Sequence, residues 1–197
     1  MPELPEVEIV CRNLAEMIPS GQKIADWKFY RKDLRFVIPQ KQLRQLIGLP
    51  LRSVYRRAKY ILFDFSDVVM ISHLGMTGAW RKESSSWKKE KHDHLSFKIE
   101  SGPDFVFSDP RRFGFIEVVK KSQLHERFVH IGVEPLASDT DWNQLTSEFL
   151  KFKAPIKTAL MDQKRVVGIG NIYASEILFS AGVSPLRLCG RVAPEKA

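Results

Sequence analysis

Cysteine is scarce in this sequence. Cys11 and Cys189 are its only two, far apart and neither in a CxxC pair. Four-cysteine zinc ligation within these residues is excluded by counting, and a disulfide framework is not expected. Cys11 falls in an apolar helical pattern and reads as a small buried hydrophobe. Long hydrophobic runs are missing as well, since none approaches the ~18–20 apolar residues of a membrane span. The opening MPELPEVEIV carries prolines and glutamates where a signal peptide has a positive end and an apolar stretch. A soluble, cytoplasmic protein is expected, with no membrane partner. Acidic residues are also in short supply, 23 against 31 lysines and arginines, for a net charge of +8.

What is present is enough for a core. Apolar residues make up 44% of the 197, which excludes global disorder and fits one or two compact units. The charge is uneven. Residues 1–125 hold 22 basic and 15 acidic side chains, and residues 126–197 hold nine and eight. A basic front portion points to a polyanion such as nucleic acid, although solubility charge alone looks similar.

Apolar residues at Val7, Val10, Cys11, Leu14 and Ile18 predict a helix over 5–18, started by Pro5 and ended by Gly21. Short β-rich runs follow, at 24–29, 51–55, 60–65, 68–72, 94–99, 105–108 and 115–119. A short helix is expected at 40–47, with Leu43, Leu46 and Ile47 inward. Residues 82–92 read as a solvated hairpin loop. Helical patterns take over at 122–129, 141–151, 155–166 and 171–181, and residues 184–197 read as a tail. The expected fold is α+β: an N-terminal helix with an antiparallel β-sandwich over 1–125, then a helical domain over 126–197.

Five motifs could carry chemistry. Met1-Pro2 is the first. Removal of the initiator methionine before a small residue leaves a secondary amine at Pro2, a nucleophile toward an aldehyde-like carbon. N-terminal amines titrate near ~8, well below lysine. Glu3 and Glu6 are close enough in sequence to move protons beside it, although PELPEVE also suits a plain capped helix start. Arg56, Arg57 and Lys59, beside an apolar run, could grip phosphates or simply form a solvated strand end. His73-Leu74-Gly75-Met76-Thr77-Gly78 implies a tight turn that pushes Met76 outward as a wedge, with His73 donating to a phosphate; a core methionine and a capped histidine are the plainer alternative. Asp109-Pro110-Arg111-Arg112-Phe113-Gly114 offers Phe113 to insert between bases and Arg111 to occupy vacated hydrogen-bonding positions, or a hairpin with a buried phenylalanine. In Gly168-Ile169-Gly170-Asn171 the glycines let backbone approach a phosphate at a helix N-terminus capped by Asn171, a pattern that many interhelical turns share.

Together PELPEVE, RRAKY, HLGMTG, DPRRFG and GIGNIYASEILF, in this order, resemble the bacterial formamidopyrimidine-DNA glycosylase family over residues 1 to about 186. The resemblance implies base-excision repair of oxidised purines (8-oxoguanine and formamidopyrimidines) in damaged double-stranded DNA, followed by β- and δ-elimination. It implies Pro2 as nucleophile and Glu3 as general acid/base. Lys59, His73, Asn171 and Arg57 would hold phosphates, with Lys59 at the catalytic centre. Met76, Arg111 and Phe113 would fill the gap left by the flipped nucleotide. Glu6 and Glu176 would support the N-terminal site, and GIGN would belong to a helix–two-turns–helix element. Leu4 and the Met76/Arg111/Phe113 set favour this branch over the related endonuclease VIII type, which usually begins PEGPE. The family's four-cysteine zinc finger has no ligands in this sequence, so no cofactor or metal is expected here. A monomer, associated with the bacterial nucleoid, is expected. The alternative is a DNA-binding remnant of the family without catalysis.

Overall fold

The computed structural model describes residues 1–84, 86–100 and 102–193, so the end of the expected tail, 194–197, lies outside the described residues. The chain divides into two compact units, Met1–Phe128 and Val129–Ala197.

The first unit opens with helix α1 (Leu4–Met17), which buries Leu4, Val7, Cys11 and Leu14. These recur at three- and four-residue spacing and form one apolar stripe. Burial pushes the Cys11 thiol up to about 11, so this cysteine is a packing residue rather than a nucleophile. After α1 come β1 (Ile24–Phe29), α2 (Gln40–Arg44), β2 (Ser53–Arg57), β3 (Tyr60–Asp64), β4 (Val68–His73), β5 (Ala79–Glu83), β6 (Asp93–Ile99), β7 (Asp104–Ser108) and β8 (Phe115–Lys120). They form two antiparallel four-stranded sheets, ordered β1-β6-β7-β5 and β2-β3-β4-β8. The expected sandwich is therefore present. Trp27, Phe63, Trp80, Phe97, Phe105 and Phe107 fill its core with tilted and edge-to-face ring contacts.

Several local expectations need correcting. Strand β5 falls partly in the segment expected to be a solvated loop. Its Trp80 is buried and donates from Nε1 to Ser72 Oγ at 2.9 Å, while Arg81 forks onto buried Asp93 at 2.9 and 3.0 Å. Strand β2 begins at Ser53, not Leu51, because the Leu51 N–H instead donates to Gln22 O. Helix α2 stops at Arg44, leaving Ile47 39% exposed rather than inward. The segment expected to open the helical domain splits into a 3₁₀ turn (Lys121–Gln123) and α3 (Leu124–Phe128). Leu124 and Phe128 pack on Leu62, Val69 and Ile71, so α3 belongs to the first unit, beyond the expected boundary at 125.

The second unit contains α4 (Trp142–Leu150), α5 (Ile156–Leu160), α6 (Asn171–Ser180) and a 3₁₀ turn at Cys189–Arg191. Asp141 caps α4 by accepting the Gln144 N–H at 2.9 Å. Leu145, Phe149, Ile156, Ala159, Val166, Leu178 and Cys189 share its core. Helix α5 is shorter than the expected 155–166. Past Leu160, polar side chains take over the backbone bonding: the Asp162 carboxylate accepts the Lys164 N–H, and the Gln163 amide folds onto Gly168 and Ile169. Among the described residues no helix is long and apolar enough to cross a membrane.

Candidate active site

The N-terminus of α1 is built by its own first residues. Glu3 is the N-cap, with Pro5 in the first turn. The Glu3 N–H donates to the Glu6 carboxylate at 2.9 Å, and the Glu3 side chain receives the Glu6 amide in return. This reciprocal box fixes the entry of the chain into the helix. Glu3 is 2% exposed, while Pro2 just before it is half-buried and Glu6 exposed. A buried carboxylate thus sits next to the residue that would carry the terminal amine.

A cation joins them from the β2–β3 hairpin. Arg57 pairs with Tyr60, so Ala58 and Lys59 form a two-residue turn, with Ala58 at φ +53. Lys59 is 8% exposed. Burial holds its ammonium below the usual lysine range, and the charges of Glu3 and Glu6 oppose that shift. Pro2, Glu3, Glu6 and Lys59 thereby form one cluster at the start of α1.

The neighbouring arginines behave differently from each other. Arg56, one of the three cations singled out in RRAKY, is committed inside the fold. It bonds Glu8 of α1 at 2.6 Å and Ala58 O at 2.9 Å. Burial raises the Glu8 pKa, but bonds from Arg56 and Arg12 outweigh this and leave its carboxyl low. Arg56 therefore ties the hairpin to α1. Arg57, which points along the same strand end, is half-buried.

His73 closes β4 opposite Tyr60. Its ring stacks on Phe115 at 5.2 Å and tilts against Tyr60 at 5.0 Å. Nδ1 accepts the Gly75 N–H at 3.0 Å, which leaves the proton on Nε2. Burial, followed by the charges of Lys59, Arg35 and Arg127, pushes its pKa down to about 4. His73 is thus a neutral N–H donor at physiological pH. Because the folded value lies below the ordinary 6.5, protons favour the unfolded chain as pH falls from about 6.5 to 4. Stability carried by this group is intact above that window and lost within it, by up to about 3 kcal/mol. Imidazole NMR at pH 5.5 should show His73 neutral with Nε2 protonated; an imidazolium signal there would contradict this assignment.

The two glycine-containing loops lock onto each other. Asp109 is fully buried and its carboxylate accepts from Thr77 Oγ1, from Arg111 N at 3.2 Å and from Gly114 N at 2.8 Å. Thr77 Oγ1 in turn accepts Arg111 N at 3.1 Å. Gly75, at φ +62, lies so near that a Cβ would stand 2.3 Å from Gly114 N and Phe113 C. Only glycine permits that approach. Arg111 is exposed and lies 4.8 Å from the centroid of Phe113, itself 45% exposed. Met76 is half-buried in the facing loop. Met76, Arg111 and Phe113 are therefore displayed by one rigid double loop. Sequence reasoning quoted both motifs but did not single out Asp109 or Thr77. The available signal was an aspartate opening a turn before proline.

Asn171 and Glu176 lie in the second unit. Asn171 is the exposed first residue of α6, after Gly170 as N-cap, and Glu176 is exposed farther along the same helix. The helix start is positive by its dipole, suited to an anion. No zinc-finger ligand set occurs among the described residues: Cys11 and Cys189 are buried in the cores of different units, and no cluster of three metal-ligating side chains is found.

Known proteins give the same picture. Residues 1–116 match the family model "Formamidopyrimidine-DNA glycosylase N-terminal domain", and residues 131–197 match "Formamidopyrimidine-DNA glycosylase H2TH domain". A formamidopyrimidine-DNA glycosylase of Bdellovibrio bacteriovorus is 41% identical over the whole chain and 73% of its own length. One from Zymomonas mobilis is 45% identical over 95% of the chain and 69% of its length. Among solved structures, Lactococcus lactis Fpg bound to DNA with an abasic site superposes with a TM-score of 0.90 at 33% identity, covering 98% of this chain and 72% of that one. MutM bound to DNA containing carbocyclic 8-oxo-G superposes at 0.89 with 35% identity, covering 99% and 73%.

Proposed function

This chain belongs to the formamidopyrimidine-DNA glycosylase family, and from that premise we propose that it excises oxidised purines from duplex DNA through a Schiff base at Pro2. The family makes it a base-excision repair DNA glycosylase acting on DNA. The observation that carries the finer reading is the cluster of a buried carboxylate, Glu3, and a buried ammonium, Lys59, beside half-buried Pro2 at the start of α1.

The steps follow from those groups. With Met1 removed, the neutral Pro2 amine attacks the sugar C1′ as the C1′–N9 bond breaks. The electron pair leaves with the base, which takes up a proton. The Pro2 nitrogen loses its proton, the sugar ring opens to an iminium, and O4′ is protonated; Glu3 is positioned to move these protons. The iminium acidifies C2′–H, so loss of that proton expels the 3′ phosphate. A second elimination expels the 5′ phosphate. Water then hydrolyses the iminium and returns the amine. Every group in this sequence comes from one chain, so a monomer suffices and no cofactor takes part.

The rest of the site serves extrusion of the nucleotide. His73 Nε2–H, Lys59, Arg57 and Asn171 hold phosphates without reading sequence. Met76, Arg111 and Phe113 fill the vacated space and offset lost stacking. Glu6 supports Glu3 through the capping box, and Glu176 is assigned a supporting part. Action on chromosomal DNA places the protein at the nucleoid.

Incubation with duplex DNA carrying 8-oxoguanine opposite cytosine, under borohydride, tests this reading. A covalent protein–DNA adduct and strand cleavage are expected. Salt-sensitive binding without an adduct, from protein whose N-terminus is confirmed as proline, would overturn it.

A further inference from the structure

We infer that Gln163 is a positioning residue for DNA binding: its side-chain amide templates the Gly168–Asn171 turn and so sets the phosphate-receiving end of α6. The inference rests on the phosphate role proposed above for Asn171 and deepens it.

The geometry is unusually complete for one neutral side chain. Gln163 Nε2 donates to Ile169 O at 2.8 Å and to Met161 O at 3.1 Å, while Oε1 accepts the Gly168 N–H at 2.8 Å. One amide therefore closes the ends of the turn across five residues. Gly168 and Ile169 are buried and Gly168 has φ +86, so neither helix nor water satisfies the peptide groups that Gln163 reaches. The chemistry selects the residue type. A carboxylate can accept from Gly168 but cannot donate to Ile169, and an aliphatic side chain can do neither.

Gln163 is itself held on the backbone side. Gly132 N donates to Gln163 O at 2.8 Å, Val133 N to Arg165 O at 2.9 Å, and Val167 N back to Val133 O at 3.0 Å. A Cβ on Gly132 would stand 2.1 Å from Arg165 O, so the strand-like rung of 132–133 lies directly against this segment. The amide thus works from a fixed base. On its other side the chain passes through Gly170 into α6, with Asn171 exposed at the first position. Loss of the amide frees the turn, and the direction in which Asn171 and the helix start present themselves is no longer set. None of these groups belongs to the Pro2 cluster, so the consequence is in binding rather than in bond breaking.

The test uses the full chain and a duplex carrying a tetrahydrofuran abasic-site analogue. Gln163→Leu should raise Kd about tenfold, and Gln163→Glu, which keeps the acceptor, about threefold. The slope of log K against log salt should fall by about one for Gln163→Leu. Single-turnover cleavage of 8-oxoguanine DNA at saturation should stay within about twofold of wild type, giving a KM effect without a kcat effect. Asn171→Ala should weaken binding to a similar degree, and the double variant should bind no more than about twofold worse than Asn171→Ala alone. Wild-type Kd in a folded Gln163→Leu protein, or full additivity with Asn171→Ala, overturns the inference. If Gln163→Leu fails to fold, Gln163→Glu decides by the same two criteria. Wild-type binding by Asn171→Ala defeats the phosphate role of the turn itself, a result read without any change at Gln163.

Discussion

Pro2→Glu should abolish borohydride trapping and lower strand cleavage by at least about 10³-fold. The argument is geometric. Glutamate at position 2 prevents removal of Met1, so the terminal amine moves outward by one residue, about 3.8 Å along the chain. The amine is still present and still nucleophilic, but it is no longer beside Glu3, whose own place is fixed by the capping box with Glu6. Misplacement by about 1 Å already costs about 100-fold in well-positioned reactions. Pro2→Gly is the milder companion. It allows Met1 removal and keeps an amine in place, but a primary amine gives a neutral imine that must be protonated, so a smaller loss is expected. Mass spectrometry of each N-terminus, with single-turnover cleavage of 8-oxoguanine DNA, separates the two. An adduct formed as fast by Pro2→Glu retaining Met1 as by wild type would remove Pro2 from the mechanism.

The difference between what the sequence discloses and what it hides is physical. Helix α1 and most strands are legible because their apolar residues repeat at the period of the element: Val7, Cys11 and Leu14 in α1, and Leu95, Phe97 and Ile99 in β6. Strand β5 is not legible, since Ala79-Trp80-Arg81-Lys82-Glu83 has three charges and its order comes from partners distant in sequence: Ser72 for Trp80 and Asp93 for Arg81. Arg56 was misjudged for the same reason. Beside Arg57 and Lys59 it looks like part of a phosphate grip, and only the fold shows that Glu8 occupies it. The candidate site residues were legible as motifs. What was not legible is the layer behind them, the contacts of Asp109, Thr77 and Gln163, because polar residues that organise turns carry no periodic signal.

Asp109 belongs to that layer, and Asp109→Ala should destabilise the first unit by roughly 3–5 kcal/mol. Its carboxylate is fully buried and gathers Thr77 Oγ1, Arg111 N and Gly114 N. Removing it strands the Gly114 N–H in the interior and releases two loops from a shared anchor, each unpaired buried group costing about 1–3 kcal/mol. The Asp109 backbone carbonyl keeps its bonds to His94 Nε2 at 2.8 Å and Arg112 N at 3.2 Å, so the turn itself survives in part. Asp109→Asn retains one acceptor but turns an NH₂ toward a donor, and should cost about half as much. A chain of this size loses about 2–4 °C of Tm per kcal/mol, so a drop of about 10 °C is expected for Asp109→Ala. The functional effect should exceed what stability explains. Below the melting range, with the protein folded, Asp109→Ala should lose preference for lesion-bearing over intact duplex, because Met76, Arg111 and Phe113 no longer share one rigid frame. Thr77→Val, which cuts only the link between the loops, should show the same loss of preference with a cost of only about 1 kcal/mol. Unchanged preference in both variants would show that the three side chains act independently of the Asp109 lock.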